Sequence, residues 1–258
     1  MKMISVTKFL LLFVFTFIIL KITNGYESYK FGTIEDHTNG MTTMVPYFVR
    51  NCIKEVEKRG MKEEGLYMTN GNLKTIKILL KLRFKNNVDL SDFDIHDIIG
   101  ALKTYLRTLY GRVINKHDGQ SLLFYNELPS AIKELKLKNL ISQKLKQPNR
   151  DTLAFLILHL QKVIETPENK LKSSHLASIF GQTLFSNVNL KDKRISIISP
   201  KRIKVVEELL KFPSSFWTQL LGKNSPKASP SASPINSDLE DSEETKESYN
   251  SDESSTYE

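Results

Sequence analysis

The residues of this 258-residue chain that could do chemistry are few, and most familiar site motifs are absent. No GxxxxGK[ST], GxGxxG, HExxH or GxSxG pattern occurs, so nucleotide-cradling, zinc-protease and hydrolase sites lack their minimum parts. The five histidines form no pair at i, i+3 or i+4. The single cysteine, Cys52, excludes an intramolecular disulfide and a cysteine-based zinc cluster. We therefore predict neither a metal site nor a bound cofactor.

The charged residues leave a basic body with an acidic end. The chain has 37 Lys and Arg against 29 Asp and Glu, but residues 223–258 hold three lysines and nine acidic residues. A basic body raises nucleic acid as a partner. The basic run from Lys74 to Lys85, however, contains a single aromatic residue rather than an interleaved set, so a solvated helix face explains it more simply and no nucleic-acid partner is predicted. Lys103 and Arg107 are spaced i and i+4, which places both on one side of a helix.

The N-terminus has the three parts of a secretory signal. Two lysines precede an apolar run at residues 9–20, and small residues at 23–25 offer a cleavage site before Tyr26. A transmembrane anchor is the alternative, but spanning needs about 20 apolar residues and this run ends at Lys21. We predict a cleaved signal peptide over residues 1–25, a secreted protein and no stable membrane anchor.

Apolar residues recur at helical spacing along most of the chain, and alternating strand patterns are nearly absent. Arg194–Ile198 is the only short strand candidate, and Ser91 and Asp92 are candidate caps of the helix that follows them. We predict an all-α domain, and a disordered tail from residue 223, where large apolar residues almost disappear. The apolar stripes begin at Val45, Leu73, Ile95, Leu128, Leu153, Leu176 and Ile203, the stripe from Leu128 running through Ile132, Leu135, Leu140 and Leu145.

Five short segments stand in a fixed order along the chain: Val45-Pro46 with Cys52-Ile53, Gly60–Gly71, Asp94–Leu109, Pro148–Leu160 and Glu168–Gly181. In this order they resemble the Rho GTPase-activating (RhoGAP) domain, an all-helical fold. The resemblance covers residues 43–222, after a signal peptide (1–25) and an N-terminal extension (26–42), and before the tail (223–258). It implies a GTP-bound Rho- or Rac-type small GTPase as partner.

The resemblance also assigns roles to single residues. In the family, the loop matching Glu64–Gly71 presents an arginine finger to the nucleotide of the GTPase, and here that position is Met68. Since a thioether has no charge and no hydrogen-bond donor, the resemblance implies the loss of most activating power. Lys103 matches a lysine of the GTPase-facing surface, and Arg107 matches an arginine that steadies the finger loop.

Three further residues match the family's GTPase-binding positions. Asn169 and Lys170 match its Asn-Lys pair, whereas His175 stands where the family has asparagine. The family's Leu-Pro-x-Pro segment is replaced by Leu109–Arg112, so the turn there is expected to differ.

Three functions follow as alternatives. The domain binds a Rho or Rac protein without accelerating hydrolysis, it is an active or residually active GTPase activator, or it is a scaffold whose basic face binds an anionic surface. A signal peptide on a RhoGAP domain is similar to the secreted venom RhoGAP proteins of parasitoid wasps. That likeness implies action in the cytosol of another cell.

Overall fold

The computed structural model describes residues 31–41, 44–186 and 195–222, with 195–199 described by their backbone alone. Within these residues the chain is helical apart from turns and two isolated bridges, Phe31 to Leu109 and Ile114 to Phe185, which confirms the predicted all-α class. The predicted signal peptide and tail lie outside the described residues and stay predictions. The helices are α1 (Tyr47–Arg59), α2 (Leu73–Lys81), α3 (Ile95–Thr108), α4 (Lys116–Asn126), α5 (Ser130–Asn139), α6 (Gln147–Glu165), α7 (Ser173–Leu184), α8 (Ile195–Lys211) and α9 (Ser214–Gly222).

Helix α3 lies at the centre and packs against α1, α2 and α7, while α7 packs along α8 and α6 contacts α1, α8 and α9. Each of these helices turns an apolar side towards its neighbours, and these sides together form the core. In the described ranges no helix is long and apolar enough to cross a membrane. Completely buried members of the core include Val49, Ile98, Leu102, Leu106, Leu156, Leu160 and Phe180.

Helices α2 and α3 each begin at a side chain that accepts a hydrogen bond from the first turn. The Asn72 carboxamide accepts from the backbone N–H of Lys74 at 2.8 Å, and the Asp94 carboxylate accepts from the N–H of His96 at 2.8 Å. The prediction of Ser91 or Asp92 as the cap of α3 was therefore wrong. An N-cap must directly precede the first helical residue, and α3 begins at Ile95.

The strand candidate Arg194–Ile198 was wrong as well, because the backbone is helical from Ile195 onward. A short apolar run fits a strand and a buried helix equally well, and here packing against α7 decides for the helix. Helix α4 escaped sequence reasoning because it has no apolar stripe, Leu122 being its one buried large apolar residue. A signal was present: the Asn115 side chain accepts from the N–H of Asp118 at 2.9 Å, a helix-start pattern.

The stripe predicted from Leu128 to Leu145 is confirmed in its second half only. Leu140 and Leu145 are buried as predicted, together with Leu137 and Ile141. Ile132 and Leu135 were predicted to be buried but are exposed, because α5 turns Leu137 inward instead. After α5 the backbone widens into a π-helical segment, Leu140–Lys144, in which the N–H of Leu145 donates to the carbonyl oxygen of Leu140 at 3.1 Å.

The turn after α3 is linked to the end of α7 by the side chain of Arg112. Gly111 (φ +76°) and Arg112 (φ +55°) both adopt the left-handed conformation. The turn thereby directs the Arg112 guanidinium to the end of α7, where it donates to the carbonyl oxygens of Gln182 and, at 2.8 Å, of Phe185. Arg112 thereby links the turn after α3 to the end of α7, while the expected difference between Leu109–Arg112 and the family's turn stays a prediction.

Candidate functional site

An open cavity of about 410 Å³ lies between the loop that precedes α2, the C-terminal half of α3 and the length of α7. It brings together four of the positions singled out from the sequence: Met68, Lys103, Arg107 and His175. Asn169 and Lys170 do not line it. The remaining lining residues are Tyr67, Asn70, Ser178, Ile179, Gln182 and Thr183.

Met68 stands at the tip of the loop, with its side chain at the cavity mouth. Gly65 has φ +68°, and its carbonyl oxygen accepts from the N–H of Met68 at 2.7 Å and from that of Thr69 at 3.1 Å. This tight turn, which requires a left-handed residue at position 65, leaves Met68 57% exposed. The residue that the loop presents to solvent is therefore an uncharged thioether without a donor.

Lys103 supports the same loop from below. It is only 8% exposed, and its Nζ donates to the carbonyl oxygen of Tyr67 at 2.8 Å. Burial, with a smaller contribution from the charge of Arg107, lowers the pKa of Lys103. The hydrogen bond to Tyr67 offsets part of the desolvation of the ammonium and fixes the peptide group that precedes Met68.

The inner wall of the cavity is cationic. The Nε of Arg107 donates to the carbonyl oxygen of Lys103 at 3.2 Å, which directs the guanidinium along α3. Burial and the charges of Arg202 and Arg107 together lower the pKa of Arg112 to about 10. Since Arg107 perturbs both Lys103 and Arg112, the positive charges of this region lie close together and produce a field that favours an acidic partner.

Asn169 is completely buried and holds the base of the loop. Its Nδ2 donates to the carbonyl oxygens of Met61 at 3.1 Å and Val163 at 2.8 Å, and its Oδ1 accepts from the N–H of Leu171 at 2.8 Å. Its own carbonyl oxygen accepts from the N–H of Gly65 at 3.2 Å. The side chain therefore supports the loop in the free protein, and its predicted contact with a GTPase stays a prediction.

Lys170 and His175 are both accessible. Lys170 adopts a left-handed conformation (φ +58°), and its Nζ lies 2.9 Å from the Glu64 carboxylate in an exposed pair, which contributes little stability. The Nδ1 of His175 accepts from the N–H of Lys172 at 3.3 Å and so helps to begin α7. His175 thus performs a helix-capping role while its ring lines the cavity.

A buried chain of polar side chains behind the loop was missed by sequence reasoning. The Tyr67 hydroxyl donates to Nε2 of His159 at 2.7 Å, and Nδ1 of His159 donates to Glu57 at 3.0 Å. We assign this tautomer of His159 because the Glu57 carboxylate can only accept. The Glu57 carboxylate also accepts from Lys162 at 2.9 Å. The partners come from two helices, α1 and α6, and from the loop, so no local spacing could have indicated them.

Charge and burial shift the pKa values of these hydrogen-bonded side chains in opposite directions. Burial lowers the pKa of His159 and keeps the imidazole neutral, despite the opposing effect of Glu57. The hydrogen bond from His159, with those from Lys162, lowers the pKa of Glu57 to about 2. The hydrogen bonds from Tyr67 through His159 and Glu57 thereby connect the backbone beside Met68 to the charged surface at Lys162. No cluster of histidine, cysteine and acidic side chains that could hold a metal ion occurs in the described ranges.

The arrangement of helices and loop can be compared with known proteins. The RhoGAP domain family matches residues 46–189, which is more than half of the chain. This chain belongs to the RhoGAP family. The matched residues include the loop Glu64–Gly71, Lys103 and Arg107 of α3 and all of α7, so the cavity lies inside the family domain.

Curated relatives match this RhoGAP protein over a longer stretch than the family model does. It is 32% identical to mouse (Mus musculus) Rac GTPase-activating protein 1 over 195 residues, which is 74% of this chain and 31% of the relative. It is 40% identical to the active breakpoint cluster region-related protein of Xenopus laevis over 157 residues, 57% of this chain and 18% of the relative. The chain therefore spans less than a third of the length of these two relatives.

Solved structures share the fold. Human Rho GTPase activating protein 15 matches with a TM-score of 0.65 at 27% identity, over 79% of this chain and 97% of that one. The BH domain from GRAF, the GTPase regulator associated with focal adhesion kinase, matches with a TM-score of 0.60 at 26% identity, over 68% of this chain and 93% of that one. The RhoGAP-like fold predicted from the ordered segments is thereby confirmed.

Proposed function

We propose that this RhoGAP domain binds GTP-bound small GTPases of the Rho or Rac type and interferes with their signalling, with most GTPase-activating power lost. The observation that carries the proposal is Met68, which is exposed at the tip of a finger loop whose support is complete. Lys103 and Asn169 hold the loop from below, so the loop is intact while its tip has no charge.

The loss of activity follows from the chemistry of the tip. An arginine finger stabilises the charge that develops on the transferred phosphoryl group and accelerates hydrolysis by about 10³ to 10⁵, or ~4–7 kcal/mol. A methionine at the matching position supplies none of this. No arginine lies between Gly60 and Leu82 to replace it, and the ammonium of Lys103 is buried against the Tyr67 carbonyl.

Binding is supported by the surface that remains. The cavity beside Met68 has a cationic inner wall at Lys103 and Arg107, and an exposed apolar side chain at its mouth. A GTPase carries its nucleotide and acidic metal-binding groups on one face, and a positive wall favours encounter with such a face. We expect docking to depend on Arg107 and to weaken as ionic strength rises.

A single-turnover GTP hydrolysis assay with purified Rho and Rac tests the proposal, alongside capture of each GTP-loaded GTPase. We expect the wild type to bind at micromolar concentration and to leave the rate of phosphate release nearly unchanged. Met68→Arg should increase phosphate release by at least about tenfold, whereas the matched variant Met68→Leu should behave as wild type.

Three results would contradict the proposal. Strong acceleration by the wild type would show an active GTPase activator, and absence of binding to every Rho-type GTPase would remove the partner. A Met68→Arg variant that is folded and bound but stays inactive would show that Met68 is not the cause of the lost GTPase-activating power.

We further propose that the protein is secreted and acts on GTPases in the cytosol of another cell, as its resemblance to secreted venom RhoGAP proteins implies. Expression in a eukaryotic secretory host, followed by N-terminal sequencing of the medium, tests the first step. Protein that begins at Tyr26 supports cleavage of residues 1–25, and protein retained in the cells with an intact Met1 contradicts it.

A further inference from the structure

Helix α2, which directly follows the finger loop, buries one side against α3 and leaves the other side exposed. At about 100° per residue, the exposed residues occupy about 140° of the helix circumference. Two of them are large and apolar, Leu73 at 74% exposed and Ile78 at 52% exposed. The exposed side, here called the α2 face, consists of Leu73, Lys74, Lys77, Ile78 and Lys81.

The charge around the α2 face has one sign. Residues 65–88 contain five basic residues and no acidic residue. Within the described part of the chain, Lys74, Lys77 and Lys81 form no ion pair. The three ammonium groups are therefore available to contact an anionic partner, while the methylene stems of the lysines cover apolar surface.

An aromatic side chain extends the α2 face beyond the helix. Phe84 is 61% exposed, yet its ring is held in place, stacked on His37 at 4.8 Å and under the Arg83 guanidinium at 4.4 Å. The same guanidinium lies 4.3 Å from the ring of Phe31. Phe84 is thus a fixed apolar projection beside a row of cations, with a small cleft of about 190 Å³ lined by Lys77, Lys81, Arg83, Phe31 and Leu80.

We propose that the α2 face with Phe84 is a docking surface for anionic phospholipid membranes. Lysines on a helix whose exposed side also carries large apolar residues are the combination that lies in a membrane interface. The lysines contact the headgroup phosphates, and Leu73, Ile78 and Phe84 enter the boundary of the acyl region. Phosphate groups of the headgroups fit the cleft between Lys77, Lys81 and Arg83.

A protein partner explains the same face less well. Charge alone is satisfied by an acidic protein, but three exposed apolar side chains spaced among lysines would each need a matching pocket on that protein. A bilayer accepts apolar side chains without matched pockets, and it supplies negative charge at the same depth as the lysine ammonium groups.

Sedimentation of the full chain with vesicles tests the inference. We expect binding to vesicles of equal parts phosphatidylserine and phosphatidylcholine, with loss in high salt and little binding to phosphatidylcholine alone. The triple variant Lys74→Gln, Lys77→Gln, Lys81→Gln should partition about 10²-fold less, at about fivefold per lysine. The double variant Ile78→Ser, Phe84→Ser should partition about tenfold less.

A matched control removes the same charge elsewhere: Lys116→Gln, Lys136→Gln, Lys144→Gln, three exposed lysines of α4, α5 and the π-helical segment. This control should sediment nearly as the wild type. The apolar run at residues 9–20 is common to all the variants, so it contributes equally to each measurement.

Three outcomes would overturn the inference. These are absence of anionic-lipid binding by the wild type, equal losses in the α2 and control variants, and unchanged vesicle binding of the α2 variants together with lost capture of GTP-loaded Rac. The vesicle assay contains no GTPase, so its failure leaves the proposed GTPase binding untouched.

Discussion

Replacement of Asn169 by alanine should unfold the support of the finger loop. The substitution removes three side-chain hydrogen bonds and leaves the carbonyls of Met61 and Val163 and the N–H of Leu171 buried without these partners. At about 1 kcal/mol net for each bond, the free energy of unfolding should fall by about 3 kcal/mol, and more where the freed groups stay dry. For a domain of this size, that corresponds to a melting temperature lower by about 6–12 °C.

Thermal and urea unfolding of the Asn169→Ala variant measure this effect. Lys170→Ala is the matched control on the adjacent residue, since it removes an exposed ion pair worth less than about 1 kcal/mol. Hydrogen exchange adds a local readout, because the N–H of Gly65, which donates to the Asn169 carbonyl oxygen, should lose protection in Asn169→Ala only. The reasoning fails if both variants unfold within 1 kcal/mol of the wild type and protection at Gly65 is unchanged.

Four further predictions concern pH, packing and reactivity. Burial lowers the pKa of His159 below its ordinary value. Below about pH 6.5 the unfolded state therefore binds more protons than the native state, and the melting temperature should fall as the pH is lowered further. The depressed pKa of Glu57, about 2 against an ordinary 4.5, makes a stabilising contribution present above pH 4.5 that is lost as the pH falls toward 2; Glu57→Gln should flatten this lower part of a melting curve series, and an unaltered slope would contradict the assignment. Gly71→Ala would place a Cβ 2.6 Å from the backbone and side chain at the start of α3, so thermal melts should show a loss of about 1–3 kcal/mol, whereas Gly222→Ala, with open space around it, should change nothing. Cys52 is buried and burial raises the pKa of its thiol, so a thiol reagent should label it only after denaturation; rapid labelling of the native protein would show that α1 opens.

The sequence predicted the helices that have a clear apolar stripe, and it failed where packing does not follow such a stripe. Helix α4 packs through Leu122, Gly119 and two buried polar residues, so no periodicity indicates it. In α5 the packing turns Leu137 inward, so Ile132 and Leu135 lie on the surface although their spacing is helical. At the site, the pair Lys103 and Arg107 was predicted to share one side of α3, and both line the cavity.

The supports of the site were harder to predict because they join distant parts of the chain. The Asn169 side chain donates to Met61, 108 residues earlier, and the Tyr67 hydroxyl reaches His159, 92 residues later. Residue type alone shows that such groups can form hydrogen bonds. Only the fold decides whether an asparagine faces a partner or is enclosed among carbonyl groups.

In the finger loop, the residues that support the backbone are different from the residue that is exposed at the tip. Buried hydrogen bonds of Asn169 and Lys103 fix its base and its middle, and the side chain of Met68 takes part in none of them. Position 68 is therefore free to vary during evolution without cost to the fold. A single-nucleotide change converts the methionine codon ATG into the arginine codon AGG, so under the proposed function a binding protein and a catalytic activator stand one mutational step apart.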